Sequence, residues 1–307
     1  MNSTTAVDTR RRRSRAASSW VDRNIRWILV APAVFVVLAL TVFPLIFSLW
    51  TSFVQFDFSL GEEHPWVGLD NFRFNWEDPV WRRSLYITGA LAAGATIIEL
   101  GLGLILALAM LRPFRGRRVL MVLFVIPLFV SPVIVGMFFD LFLRRPQGPA
   151  NQIISWLTGH QQVLLWTVNP KLVYPAIFIC EIWQWTPFMF LILLAALSHV
   201  DRSLLEAAEL DGARFPRIFF KIVLPAIWPV MAIAILIRGI DLFRIFDVIW
   251  ALTGGGPGTM TETISIYTYV QGFQQFESSY TAAIAFLIVA LMSVVVTWAI
   301  RRMGFAR

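Results

Sequence analysis

Six long stretches of nearly unbroken apolar residues punctuate the chain, at about 27–50, 85–111, 119–143, 172–197, 222–243 and 282–300. A helix that crosses a bilayer needs roughly 20 apolar residues, and each stretch reaches that length. The runs are continuous rather than alternating, so a β-barrel, whose strands face lipid and lumen by turns, fits poorly. The pattern predicts an all-α integral membrane protein with six transmembrane helices. Pro44, Pro127, Pro132, Pro175, Pro187, Pro225 and Pro229 fall inside the runs. Membrane helices tolerate such prolines where neighbours re-satisfy the freed carbonyls, so kinked spans are expected.

Composition reinforces the pattern: of 307 residues, 58% are hydrophobic and only 15% charged, against about 25% charged in soluble domains. Six spans and their loops use up the length, which leaves no room for a large soluble catalytic domain. The single cysteine, Cys180, lies in an apolar run, so no intramolecular disulfide is expected. His64, His160 and His199 are too scattered for a ligand cluster, and no metal site is predicted. Neither a His-Glu-x-x-His pair, a Gly-x-Ser-x-Gly elbow nor a nucleotide-binding loop is present, which argues against an enzyme.

The 26 Lys and Arg exceed the 19 Asp and Glu to give +7, and their placement carries the information. Arg10, Arg11, Arg12, Arg13, Arg15, Arg23 and Arg26 precede the first run. Arg112, Arg115, Arg117 and Arg118 lie in the second loop, Arg202, Arg214, Arg217 and Lys221 in the fourth, and Arg301, Arg302 and Arg307 at the end. The alternate loops carry only Arg73, Arg82, Arg83, Arg144, Arg145 and Lys171. Basic residues concentrate on the cytoplasmic side of membrane proteins, so both termini are expected there. Residues 1–26 then read as a disordered, Arg-rich cytoplasmic tail that sets topology, ahead of a membrane domain at 27–307. A signal peptide is not expected, because its apolar core is only 7–15 residues long and this run is longer, and a nucleic-acid arm is not needed to explain the charge. Residues 151–157 are expected to form a short amphipathic interfacial helix, and Trp66, Trp76 and Trp81 in the first outer loop read as interface anchors.

Ionisable residues within spans usually face a bundle interior or an aqueous path. Glu99, Glu181, Arg238, Asp241, Arg244 and Asp247 are of this kind. Arg238, Asp241 and Arg244 recur every three residues, which stacks them on one helix face and permits mutual pairing. Span four combines aromatic rings with polar groups at Glu181, Trp183, Gln184 and Trp185, a combination suited to sugars. Glu181, Trp183, Trp185, Arg244 and Asp247 are the candidate solute path. Gly254, Gly255, Gly256 and Pro257 lack the Lys-Ser/Thr of a phosphate loop and read as a tight outer turn, a candidate outer gate. Ala90 and Gly94 are small enough to let another helix approach closely.

The fourth loop, about 198–225, carries the most specific signal. Ser203 followed by Glu206 suggests a capping box, Gly212 a helix stop, and Pro216 the first turn of the next helix. The loop therefore predicts a helix, a tight break and a second helix entering span five. Glu206-Ala207-Ala208, Gly212 four residues on, and Ile222-x-Leu224-Pro225 fill every signature position of the EAA motif. In this the chain resembles permease subunits of bacterial ABC importers. Phe246-Asp247, Leu252 to Pro257 and Thr261-Glu262-Thr263 are similar to the sugar-type permeases of the maltose importer class. The resemblance implies a type I ABC importer permease fold in the bacterial cytoplasmic (inner) membrane, pairing with a second, homologous permease as a heterodimer. It implies two cytoplasmic ATPases that bind ATP and Mg, so that this chain holds no cofactor, and an extracytoplasmic solute-binding protein. It also implies a carbohydrate or polyol substrate. Glu206, Ala207, Ala208, Asp211, Gly212, Phe215, Leu224 and Pro225 become the ATPase-coupling element. The rival reading is a self-contained secondary transporter or channel, which often shows paired discontinuous helices; no such pair is visible in the sequence.

Overall fold

A computed structural model describes residues 4–56, 64–144, 148–161 and 163–303, with side chains from residue 24 onward. Arg145 and Arg307 lie outside the described residues, as do the side chains of the basic residues before Asn24. The described residues form thirteen α-helices and no strand beyond an isolated bridge between Val54 and Trp66. In order they are α1 (Thr4–Thr51), α2 (Asp70–Glu77), α3 (Pro79–Ala109), α4 (Arg117–Val125), α5 (Pro132–Leu143), α6 (Pro149–Thr158) and α7 (Val173–Ser198). They continue as α8 (Arg202–Leu210), α9 (Phe215–Ile218), α10 (Leu224–Phe243), α11 (Asp247–Thr253), α12 (Ile264–Tyr269) and α13 (Ser278–Arg302).

Five segments are continuous and long enough to span: Asn24–Thr51, Pro79–Ala109, Val173–Ser198, Phe215–Phe243 and Ser278–Arg302. These are the first, second, fourth, fifth and sixth predicted spans. The third is different. Instead of one helix over 119–143, Arg117–Phe129 and Pro132–Leu143 meet at a bend of 99°. Pro127 opens a 3₁₀ turn at Ile126–Phe129, and Val130 and Ser131 are extended (ψ 133° and 136°). Proline forces the residue before it out of the helical region, so Pro132 ends one helix and starts another. The freed Val130 carbonyl accepts from Gln184 Nε2 at 2.8 Å, which satisfies it inside the bundle.

The Arg-rich stretch is a second departure. In place of a disordered tail, α1 runs back to Thr4. Arg and Ala are good helix formers, and no Gly or Pro precedes Pro32 to stop the helix growing backward from the apolar run. The apolar surface of α1 between Asn24 and Thr51 is left uncovered by the rest of the chain.

The bundle is organised around α3 and α7, which pack along most of their lengths, with α10 against both. Gly103 permits this closeness: a Cβ there would lie 2.6 Å from Met189 Cβ and 2.9 Å from the Phe190 amide nitrogen. Gly94 faces span four in the same way, 2.8 Å from the Phe178 ring, and Ala90 lies beside Tyr174 and Phe178 in a small apolar cavity. One apolar cluster joins α3, α5, α7 and α11 through Leu91, Phe139, Ile177 and Ile249. A second joins α3, α7 and α10 through Ala107, Phe190, Leu193 and Ile227.

At the Pro79 end of α3, Asp78 caps the helix by accepting from the Val80 amide at 2.7 Å. It also accepts from the Tyr267 hydroxyl, and from the Tyr280 hydroxyl at 3.1 Å. Trp81 is buried while Trp66 and Trp76 are exposed, so only the latter two keep the exposure expected of anchors. Helix α6 forms as anticipated and exposes Ile153, Trp156 and Leu157 on its surface.

Candidate functional site

Two places in the fold collect the residues singled out by the sequence. The first is the element between α7 and α10. Asp201, not Ser203, caps α8: its carboxylate accepts from the Ser203 amide at 2.9 Å. The helix thus starts two residues earlier than a Ser203–Glu206 capping box requires, because the Asp201 carboxylate, two residues nearer the chain's entry, is already a strong acceptor for a first-turn amide. This backbone bond also holds the Asp201 carboxyl below its usual range. The stop is as expected. Gly212 has φ +71°, the Gly212 amide donates to Glu209 O at 3.0 Å and the Ala213 amide to Ala208 O at 3.0 Å. That pair of bonds is a Schellman motif, which needs a left-handed residue and so favours glycine. Pro216 sits in the first turn of α9, and a π-helical turn at Phe219–Val223 leads into α10, with Pro225 in its first turn.

This element has two faces. Leu205, Ala208 and Ala213 pack partly buried against the α3–α7–α10 cluster. Leu204, Ala207 and Leu210, spaced by three, point away, and Leu210 is 90% exposed. Glu206, Glu209, Asp211 and Phe215 are exposed beside them, while Leu224 is half-buried at the base. Of the two alanines in the motif, one seats the helix on the bundle and the other lies on the free face.

The second place is a cavity of about 240 Å³ lined by Pro132, Glu181, Trp185, Arg238, Asp241, Arg244, Ile245, Phe246, Asp247 and Val248. Arg238 is its base. Its Nε and Nη2 donate to Glu99 at 2.7 and 2.9 Å, Nη2 also donates to Glu181 Oε2 at 2.5 Å, and Nη1 to Asp241 Oδ2 at 2.6 Å. Trp185 lies over the guanidinium, 4.4 Å from ring centre to carbon, a cation–π contact. Arg238, Glu99 and Glu181 are buried, so three spans are tied together by charge-assisted bonds away from water. The i,i+3 pairing foreseen between Arg238 and Asp241 exists, but it is one of three ion pairs made by the same guanidinium. Arg244 approaches Asp241 only to 3.9 Å and is largely exposed, and Asp247, the first residue of α11, is exposed.

Of the five candidate solute-path residues, Glu181, Trp185, Arg244 and Asp247 therefore share one cavity. Trp183 does not join them. It packs on Phe139, with ring centres 5.7 Å apart, and lines a separate apolar groove with Leu102, Phe124 and Pro187. Phe246 also lines the charged cavity and begins an aromatic cluster with Trp250 and Tyr269, at 5.6 and 5.2 Å between ring centres. The sequence reading left Trp250 and Tyr269 unremarked, since rings brought together from separate helices leave no local signature.

The glycine run forms the tight turn expected of it. Gly254 ends α11 at φ +60°, the Thr261 amide donates to Gly255 O, and Thr261 Oγ1 donates to Gly256 O at 2.8 Å. Tyr174 on α7 ties the segment down by donating to Met260 O. Gly254, Gly256 and Pro257 line a second cavity of about 390 Å³ with Asp140 and Thr167.

This architecture has close counterparts. A permease from the bacterial ABC transporter that imports the acidic polysaccharide alginate superposes with a TM-score of 0.80 at 22% identity, covering 95% of this chain and 99% of that one. The trehalose transport system permease protein SugA of Mycobacterium tuberculosis is 33% identical over 293 residues, 95% of this chain and 93% of the relative. The sulfoquinovosyl glycerol transport system permease protein SmoG of Agrobacterium fabrum is 31% identical over 274 residues, 88% of this chain and 87% of the relative. The trehalose/maltose transport system permease protein MalF of Thermococcus litoralis is 34% identical over 248 residues, 81% of this chain and 83% of the relative. Residues 99–304 match the family of binding-protein-dependent transport system inner membrane components, and the chain belongs to that family.

Proposed function

We propose that this chain is the non-catalytic permease subunit of an ATP-driven importer that carries a carbohydrate or related polyol across the bacterial cytoplasmic membrane. The observation that carries the reading is the α8–α9 element: a capped, rigidly stopped helix seated on the bundle by one face and offering Leu204, Ala207 and Leu210 on the other. An uncovered apolar row flanked by Glu206 and Glu209 suits a groove on an ATPase subunit with apolar walls and cationic rims. Relatives named for trehalose and for trehalose/maltose transport support the carbohydrate assignment. A second permease, two ATPases and an extracytoplasmic solute-binding protein complete the assembly in this reading. Both termini lie in the cytoplasm, on the same side as α8.

The coupling route follows from continuity of the backbone. Helix α10 runs without interruption from Leu224 to Phe243 and carries Arg238 in its interior. At 1.5 Å per residue, Leu224 lies about 21 Å along the axis from Arg238. A push on α8 enters α10 through the Gly212 turn and moves one wall of the charged cavity. The Gly254–Pro257 turn, next to α11, is the gate on the opposite side. Gly212→Pro tests the lever, because proline cannot adopt φ +71°. In the assembled complex, solute-stimulated ATP hydrolysis is expected to be lost while the permease still inserts. Unchanged stimulation would refute the coupling role of this element.

A further inference from the structure

The charged cavity also limits what it can hold. Four carboxylates, Glu99, Glu181, Asp241 and Asp247, meet two guanidiniums, Arg238 and Arg244, in or directly behind its wall. The negative excess is two, and protonation of any one carboxyl would still leave an excess of one.

The positive charge is also spent. Arg238 has five N–H donors, and four are committed: Nε and one Nη2 hydrogen to Glu99, the other Nη2 hydrogen to Glu181, and one Nη1 hydrogen to Asp241. Its side chain is 2% exposed, and Trp185 covers a face of the guanidinium. An anionic group entering the cavity finds one uncommitted Nη1 hydrogen on the buried Arg238, whose charge is already matched by carboxylates, and Arg244, which already faces Asp241 at 3.9 Å. Exposed Asp247 and the partly exposed Asp241 carboxylate are acceptors only. They are suited to hydroxyl donors, whose O–H···O⁻ bonds are among the stronger neutral-to-charged contacts.

Resting on the reading of this cavity as part of the solute path, we propose that the half of the path built by this chain selects against anionic solutes and takes uncharged, hydroxyl-rich ones. Asp247 is the specificity-determining residue in this account: it is exposed, it belongs to no buried ion pair, and its charge can be removed without unpairing Arg238.

Matched solutes that differ only by a charge test the proposal. The permease–ATPase complex in lipid nanodiscs, without the solute-binding protein, is dialysed to equilibrium against radiolabelled trehalose or trehalose 6-phosphate, and separately against glucose or glucuronate. The uncharged member of each pair is expected to bind at least tenfold more tightly, about 1.4 kcal/mol. Asp247→Asn is expected to narrow that ratio severalfold through tighter binding of the anion, while Asp247→Glu restores it. Equal binding within a pair, preference for the anion, or a ratio unmoved by Asp247→Asn would overturn the proposal. Absence of binding by every solute would overturn it too, by removing the cavity from the path. ATP-driven uptake by the complete assembly is read separately and decides whether the importer reading stands.

Discussion

Arg238→Met removes the charge that holds three spans together while keeping most of the side-chain length. Glu99 and Glu181, 0% and 4% exposed, would then be buried carboxylates without a counter-ion. Breaking a buried pair by removing one partner costs roughly 3–5 kcal/mol, chiefly as the penalty for the uncompensated charge. Asp241, 40% exposed, can turn to water and adds little. Ordinary interhelical hydrogen bonds in membranes average only about 0.6 kcal/mol, so the loss of the three that Arg238 makes to Glu99 and Glu181 would, without charges, give about 1.8 kcal/mol. A measured loss of about 3–5 kcal/mol on reversible unfolding in mixed micelles therefore identifies the stranded charges as the dominant effect. The triple variant Arg238→Met with Glu99→Gln and Glu181→Gln discriminates further, since it removes the charges on both sides. It is expected to recover at least half of the single variant's loss. A single variant within about 1 kcal/mol of the natural protein, or a triple variant no better than the single, would refute the argument.

Gly103→Val places branched carbon where even a Cβ would lie 2.6 Å from Met189 Cβ; it is expected to lower the melting temperature sharply, whereas Gly101→Ala, with open space around it, is nearly neutral. Burial pushes the Asp78 carboxyl up, but hydrogen bonds from Tyr267, the Val80 amide and Tyr280 outweigh it and hold the group below its ordinary value. A carboxyl depressed in the fold stabilises above its unfolded value near 3.9 and loses that contribution as pH falls through its folded value. Thermal unfolding from pH 7 to pH 3 is thus expected to weaken below about pH 4, and Asp78→Asn to flatten that limb at the expense of stability at neutral pH. Trp185→Ala removes a cavity wall and the ring over Arg238, so solute affinity should fall at least tenfold in dialysis; Trp183→Ala, in the separate apolar groove, should leave it within about twofold.

The span boundaries were legible because apolar runs of membrane length have few alternative structures. The break at Val130 and Ser131 was not, since prolines are common in continuous membrane helices: Pro187 and Pro229 sit inside α7 and α10 without breaking them. What separates the cases is a partner for the freed carbonyl, here Gln184, 54 residues away. Distance in sequence also hid the ion cluster. Three-residue spacing reveals Arg238 with Asp241, but Glu99 and Glu181 are 139 and 57 residues from Arg238. The separation of Trp183 from Trp185 was within reach of sequence reasoning. Two residues along an α-helix turn about 200°, so both rings cannot face one cavity, and only Trp185 shares a face with the helix that carries Arg238. The backbone of the α8–α9 element was the most legible part, because Gly212 and Pro216 act through local backbone geometry; only its cap moved, to Asp201.

The central claim is tested most directly by uptake of radiolabelled trehalose and maltose into proteoliposomes carrying this chain with its partner permease, the ATPases and the solute-binding protein. Accumulation of at least one of these sugars is predicted to require internal ATP and both ATPase subunits, and to fall to the level of empty vesicles when the ATPases are omitted. ATP-independent accumulation by the permease alone would contradict the account.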